Sequence, residues 1–187
     1  MTRIEKDYTF NSAVHFDNKF LINHYELTVS MIVETEAVHE QNVAMERLDY
    51  FINHVLDSCV FVDITKNKAI ENYLHAGLRT CILPEEPYDQ ILGIILLLKL
   101  NSILENRLIV TDITLSSKLS DNVRFHVVQE VADNLYTGDN WWNENSTKLC
   151  DTKKLSDKKT KIVKLFDDDW QSVGLSWKEG KQVTNNT

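Results

Sequence analysis

The sequence predicts an α+β fold in which helices cover one face of a four-stranded antiparallel sheet. Residues 8–16 and 21–33 alternate between apolar and polar side chains, the period of strands with one buried face. Residues 108–118 and 122–130 predict two further strands, and segments with helical spacing lie between the two pairs. The order is two strands, a helix, a shorter helix or loop, a long helix and two strands, a ββααββ arrangement if the middle segment is a loop.

The first two strands predict a hairpin whose turn is residues 17–20, Asp-Asn-Lys-Phe. With Phe16 opposite Leu21, Tyr8 faces Val29 and one face of the hairpin is apolar throughout. The other face then collects polar side chains, namely Asp7, Thr9, Asn11, His15, His24, Glu26, Thr28 and Ser30.

Three segments between the strand pairs have helical patterns. Residues 43–56 carry one apolar stripe, which predicts an amphipathic helix. Residues 67–77 predict a second, shorter helix, and residues 60–62 are too few to classify. A long helix is predicted at 87–104, because Pro87 suits a first helical turn and acidic residues precede the apolar run. Its apolar residues surround the axis, so it is expected to be buried or to lie at a subunit contact.

Residues 1–132 form the predicted folded domain, and residues 133–187 form a C-terminal extension. The extension is polar around Gly138 apart from the adjacent Trp141 and Trp142. Residues 161–166 alternate weakly and could form an extra hairpin with 174–177. Residues 178–187 are polar and are predicted to be disordered.

Composition narrows the class of protein. The chain has 187 residues, 43% of them apolar, and its apolar run at 91–98 is too short to span a bilayer. A net charge of −8 without a basic stripe argues against a nucleic-acid partner. Charged residues at 3–7 leave no room for a signal peptide, and three widely spaced cysteines are expected to be reduced. We therefore expect a cytoplasmic protein without a membrane partner.

Four short sequence motifs resemble those of one enzyme family. Residues 6–15 read K-D-Y-T-F-N-S-A-V-H, which resembles the opening strand K-D-F-T-F-x-A-A-H of the 6-pyruvoyltetrahydropterin synthase and 6-carboxytetrahydropterin synthase family. The motifs at 43–46, 56–62 and 87–92 resemble the family's V-x-D-L, L-D-H-x-x-L-N and P-T-x-E-V-L, respectively. The resemblance covers residues 6–130 and implies the tunnelling fold. It also implies a homo-oligomer whose subunits join sheet edges and bind flat heterocycles at their interfaces.

The chain departs from that family at the positions that carry its chemistry. The family holds a catalytic zinc with three histidines, but here Val14 stands at the first position and residues 21–23 read Leu-Ile-Asn in place of H-x-H. Ser58 replaces the histidine of L-D-H, and no cysteine lies between His15 and Tyr25. No glutamate for anchoring a pterin occurs from 112 to 129. The resemblance therefore predicts the scaffold without the zinc-dependent lyase activity, and no cofactor is favoured.

Two substitute sites follow from the same comparison. In the predicted register, His15 and His24 lie on a diagonal about 7–8 Å apart with Glu26 on the same face. Two imidazoles and a carboxylate can bind zinc, although an exposed, solvated sheet face is the simpler interpretation. If a pterin or purine binds, Gln129, Glu130 or Asp112 would replace the family's anchor.

Three functions remain open from the sequence. The favoured one is an oligomeric scaffold or binder of a pterin-like or purine-like heterocycle. The enzymatic alternative is a pterin synthase or lyase that uses His15, His24 and Glu26 as a rearranged metal site. The third is an unrelated α+β protein that interacts through the Trp141 and Trp142 region and the basic-acidic tail. Such a tryptophan pair can stack on a flat ligand but more often covers a core edge or an interface.

Overall fold

A computed structural model describes residues 2–132, 134–151 and 169–177. Its strands are β1 (Arg3–Phe16), β2 (Lys19–Val33), β3 (Val60–Asp63), β4 (Thr80–Leu83), β5 (Leu108–Ser117) and β6 (Phe125–Val128). Its α-helices are α1 (Val38–Tyr50), α2 (Asn67–His75), α3 (Asp89–Leu104) and α4 (Gln129–Ala132). A π-helical turn, Phe51–Leu56, extends α1, and 3-10 turns occur at Lys118–Ser120 and Trp141–Asn143. No helix in these three ranges is long and apolar enough to cross a membrane.

The α+β class is confirmed, but the predicted sheet of four antiparallel strands is wrong. The sheet has six strands in the order β4-β3-β1-β2-β5-β6, and β3 runs parallel to both β1 and β4. All four residues of β3 and all four of β4 are buried, so neither strand shows the alternation that identifies a half-exposed strand. The connection between them is α2, as a parallel pair requires.

The prediction that helices cover only one face is also wrong. Phe61 and Cys81 belong to the main core with α1 and α3. Their neighbours Val62 and Ile82 instead contact Ile70 of α2 in a separate apolar cluster. Neighbouring residues of a strand point to opposite faces, so α2 covers the face that α1 and α3 leave open.

The β1–β2 hairpin has the predicted faces in a register shifted by two residues. Phe10 lies opposite Tyr25, and their rings stack at 4.9 Å. The turn contains only Asp17 and Asn18, with φ of 48° and 57°. Both residue types tolerate this left-handed conformation, and a two-residue turn of this kind matches the twist of a hairpin. A shift by two leaves every side chain on its predicted face.

Helix α3 is the centre of the core. Eleven of its sixteen residues are buried, which agrees with the apolar character predicted around the whole axis. Helix α1 begins at Val38, five residues before the predicted start at residue 43. Lys99 of α3 is fully buried among these apolar residues.

The C-terminal extension packs on this domain. Trp141, Trp142 and Trp170 are part of the main core. The extension also covers the β4 edge, because the Ile82 amide donates to the Leu149 carbonyl at 2.9 Å and the Ile82 carbonyl accepts from Trp141 Nε1 at 2.8 Å. Residues 174–177 do not form the predicted strand, and the other half of that hairpin, 161–166, and the tail 178–187 lie outside the described residues.

Candidate functional site

A pocket of about 470 Å³ opens at the carboxyl ends of the parallel strands β3 and β4. Its lining residues are Ile64, Asn67, Ile82, Leu83, Pro84, Tyr136, Thr137, Asn140, Trp141, Trp142 and Asp151. The carboxyl ends of parallel strands are where ligands commonly bind, and the volume suits a small organic molecule. The pocket exists because the extension returns to the β4 edge, next to the start of α2.

Three aromatic residues form one wall of this pocket, and we call them the aromatic wall: Tyr136, Trp141 and Trp142. The two indole rings are 5.7 Å apart and nearly perpendicular, and Tyr136 lies 6.2 Å from Trp142 in the same edge-on arrangement. Trp141 Nε1 donates to the Ile82 carbonyl, and Trp142 Nε1 donates to the Tyr136 carbonyl at 3.0 Å. Both indoles are therefore fixed in orientation before any ligand arrives.

The Tyr136 hydroxyl is also fixed. It donates to Glu85 Oε1 at 2.7 Å. Burial, followed by this hydrogen bond and the negative charge of Glu85, raises the pKa of Tyr136 to about 12. The phenol therefore keeps its proton at neutral pH and holds its ring in the wall.

Polar side chains line the rest of the pocket. Asn67, Thr137, Asn140 and Asp151 provide amide, hydroxyl and carboxylate groups, and Asp151 is the only charged side chain among the lining residues that the structure describes. A carboxylate accepts hydrogen bonds from N–H donors, while an amide both donates and accepts. The combination of an aromatic wall and these groups suits a small molecule with N–H and carbonyl groups.

The histidines considered for zinc are not brought together. His15 lies opposite Phe20, and its Nδ1 is 2.7 Å from the Tyr73 hydroxyl. His24 lies opposite Asn11, four residues from His15 along β1, which is about 13 Å of strand. The diagonal contact that we predicted between the two histidines is wrong, because it depended on the longer turn.

Glu26 does not restore the site. It lies opposite Thr9 on one side and Ser116 on the other. Among the residues whose placement is described, no group of three or more histidine, cysteine, aspartate or glutamate side chains could hold a metal ion.

Other positions that resemble the family's active site have structural roles here. Asn23 is buried, and its Oδ1 accepts from the amides of His24 and Leu119 at 3.0 and 3.1 Å. Asp57 Oδ1 accepts from the Asn11 amide at 3.0 Å. Burial raises the pKa of the Cys59 thiol to about 12, which leaves it protonated and unreactive at neutral pH.

The three predicted anchor residues lie together, away from the pocket. Asp112 of β5 lies opposite Val128, the residue before Gln129 and Glu130 at the start of α4. The Asp112 carboxylate forms an ion pair with Arg3 at 3.0 Å. None of the three lines the pocket at β3 and β4. Their role as anchors stays a prediction.

Sequence reasoning identified Trp141 and Trp142 but not the residues that complete the pocket with them. Asn67, Tyr136 and Asp151 come from segments far apart in the chain, and no spacing rule links them. Lys99, which binds the backbone of the aromatic wall, was also missed. Its signal was available, since it is a lone lysine inside an otherwise apolar helix.

Comparison with solved structures identifies a fold relative. The chain is similar to the crystal structure of an uncharacterized protein, WS1659, from Wolinella succinogenes, with 12% identity and a TM-score of 0.50, over 68% of this chain and 98% of that one. A 6-pyruvoyl tetrahydropterin synthase from Plasmodium vivax is similar over the same shares of the two chains, with 11% identity and a TM-score of 0.38. No protein-family model and no curated protein matches the chain.

Proposed function

We propose that this protein binds a planar nitrogen heterocycle of the pterin or purine type and does not carry out zinc-dependent lyase chemistry. The pocket at the ends of β3 and β4 is the single observation that carries the proposal. The ligand lies against the aromatic wall, and its ring N–H groups face Asp151 while Asn67 and Asn140 contact its carbonyl or ring nitrogen atoms.

The charge of the pocket favours an unphosphorylated ligand. Among the residues that the structure describes, the one charged residue lining it is acidic. Glu85, bonded to the wall at Tyr136, adds a second negative charge nearby. A phosphate group would meet repulsion from both carboxylates. The ligand class is therefore the free base or a neutral derivative of it.

The scaffold part of the proposal follows the sequence resemblance to the tunnelling-fold pterin enzymes. The positions of His15 and His24 on the first hairpin favour loss of the metal chemistry over a rearranged zinc site. We further propose a homo-oligomer that associates through β6, a short strand at the open end of the sheet with Val123, Val128 and Val131 exposed beside it. That Cys59, Cys81 and Cys150 form no disulfide supports a reducing, cytoplasmic location.

Equilibrium binding of pterin, guanine and adenine, measured by calorimetry, tests the proposal. At least one of the three bases should bind, and Asp151→Asn should weaken it by about tenfold through loss of a charge-assisted hydrogen bond. Asp139→Asn is the matched control, since Asp139 is exposed on the same segment and does not line the pocket.

Glu130→Gln distinguishes this pocket from the anchor position that the resemblance implies. Unchanged affinity in Glu130→Gln together with weakened affinity in Asp151→Asn supports the pocket. The reverse pattern would move the ligand to the β5–β6 end of the sheet. No binding of any of the three bases by the wild-type protein would refute the proposed function.

A further inference from the structure

Lys99 connects the core to the aromatic wall. Its side chain is fully buried, and Nζ donates to the carbonyls of Trp141 at 2.8 Å and Glu144 at 2.7 Å. The rings of Trp141 and Phe51 flank it at 5.5 and 5.9 Å. One lysine of α3 thus ties two backbone positions of the extension to the domain.

Ser102, on the same face of α3, provides a second hydrogen bond to the backbone of the extension. Its hydroxyl, one helical turn away from Lys99, has one proton to share between the Trp142 carbonyl at 3.0 Å and the Leu98 carbonyl of its own helix at 3.1 Å. The carbonyls of Trp141, Trp142 and Glu144 therefore all accept from α3 side chains. Without Lys99, the buried Trp141 carbonyl would keep only the longer 3.3 Å hydrogen bond from the Glu144 amide, and weakening a buried polar group in this way is costly.

The two donors differ in one respect, because only Lys99 titrates. Burial lowers its pKa to about 7, while Glu144 and Cys81 act in the opposite direction. The charge of Lys148 lowers the pKa of Lys99 further, and the charge of Asp151 raises it. Within the described ranges, these four titratable groups act on Lys99, Cys81 from β4 and the other three from the extension, and the Phe51 ring lies 5.9 Å away.

The sign of the pH effect follows from proton linkage. When the aromatic wall undocks, Lys99 reaches water and its pKa returns towards about 10.4. The docked state then binds the proton more weakly than the undocked state, so a rise in pH from 7 towards 10 favours docking. The neutral amine still has two N–H donors, which is the number that the two carbonyls require.

We propose that Lys99 is the positioning residue of the pocket, holding the aromatic wall through the carbonyls of Trp141 and Glu144 and making pocket formation dependent on pH. The pocket is complete in alkaline solution and opens progressively as the pH falls towards 7. This inference rests on the proposed function only where a ligand is concerned.

Hydrogen–deuterium exchange of peptides within residues 136–147 tests the proposal. After correction for intrinsic exchange rates, wild-type protection should rise between pH 7 and 9 by up to about tenfold per pH unit, the limit for one linked proton. Lys99→Met should abolish the rise. Ser102→Ala should reduce protection at every pH but keep the rise, since it removes a donor that does not titrate. A rise that persists in Lys99→Met, or a flat wild-type profile, would overturn the proposal.

Two further measurements distinguish failure of this proposal from misfolding of Lys99→Met and from failure of the proposed function. A ¹³C NMR titration of lysine side chains in the wild-type protein should show one lysine titrating near pH 7, and its absence would overturn the proposal even if Lys99→Met does not fold. The affinity of the base identified by calorimetry should rise over the same pH range in wild type and not in Lys99→Met. If no base binds, the proposed function fails while the exchange result still decides the role of Lys99.

Discussion

The guanidinium of Arg47 lies 3.7 Å from the ring of Trp177. This arginine of α1 is buried and donates from Nε to the Leu175 carbonyl at 2.8 Å. Its Nη1 donates to the Ile103 carbonyl and to Glu105 at the end of α3. A single side chain therefore joins α1, α3 and the segment 169–177.

Arg47→Met should destabilise the protein by about 2–3 kcal/mol, because it leaves two buried carbonyls and the Glu105 carboxylate without this donor. Urea unfolding monitored by circular dichroism measures the loss. Arg107→Met is the control: Arg107 stacks on the same Trp177 ring at 4.6 Å but is more exposed, so it should cost less than about 1 kcal/mol. Equal losses in the two variants would contradict the role of burial.

The free energy of unfolding should rise with pH between 7 and 9. Lys99 has a pKa of about 7 in the folded protein and an ordinary lysine pKa when unfolded. Its contribution to stability is complete above the unfolded pKa and is lost as the pH falls towards 7, at up to about 1.4 kcal/mol per pH unit. Urea titrations at pH 7, 8 and 9 should show this slope in the wild type and a smaller one in Lys99→Met. Identical slopes would show that Lys99 titrates normally.

Purified protein should contain negligible zinc. The hairpin register places His15 and His24 too far apart to share one ion. Emission spectrometry of the wild type and of a His15→Ala/His24→Ala double variant should give the same low metal content. Stoichiometric zinc that disappears in the double variant would restore the rearranged metal site.

Asn18→Gly should stabilise the hairpin by a few tenths of a kcal/mol. Asn18 has a φ of 57°, where glycine has no Cβ conflict. Asn18→Val is the opposite case and should cost about 1–2 kcal/mol, because a β-branched side chain opposes left-handed backbone. Thermal unfolding ranks the three proteins, and a valine variant as stable as the wild type would contradict the two-residue turn.

The faces of the first hairpin could be predicted from the sequence, but its register could not. Alternation defines which side chains share a face, and that property survives a shift by two residues. The sequence predicted a four-residue turn at 17–20, whereas the backbone at Asp17 and Asn18 forms a turn of two residues. The error in register placed His24 beside His15 and so created the predicted zinc site.

The parallel strands and the pocket beside them were beyond sequence reasoning. Strands β3 and β4 have four residues each and are buried on both faces, so they have no periodicity to detect. The site depends on their carboxyl ends meeting Trp142 and Asp151, which lie some sixty residues or more further along the chain. Composition could indicate that the two tryptophans cover something, but not what lies opposite them.

The hydrogen bonds at Ile82 limit how copies of this chain can assemble. A closed ring with head-to-tail contacts needs two complementary edges on each subunit. On one of them, the amide and carbonyl of Ile82 already bond to Leu149 and Trp141 of the same chain. If subunits pair through β6 alone, the β6 edge of one subunit contacts the β6 edge of the other. Such a contact has two-fold symmetry and produces a dimer and no larger assembly.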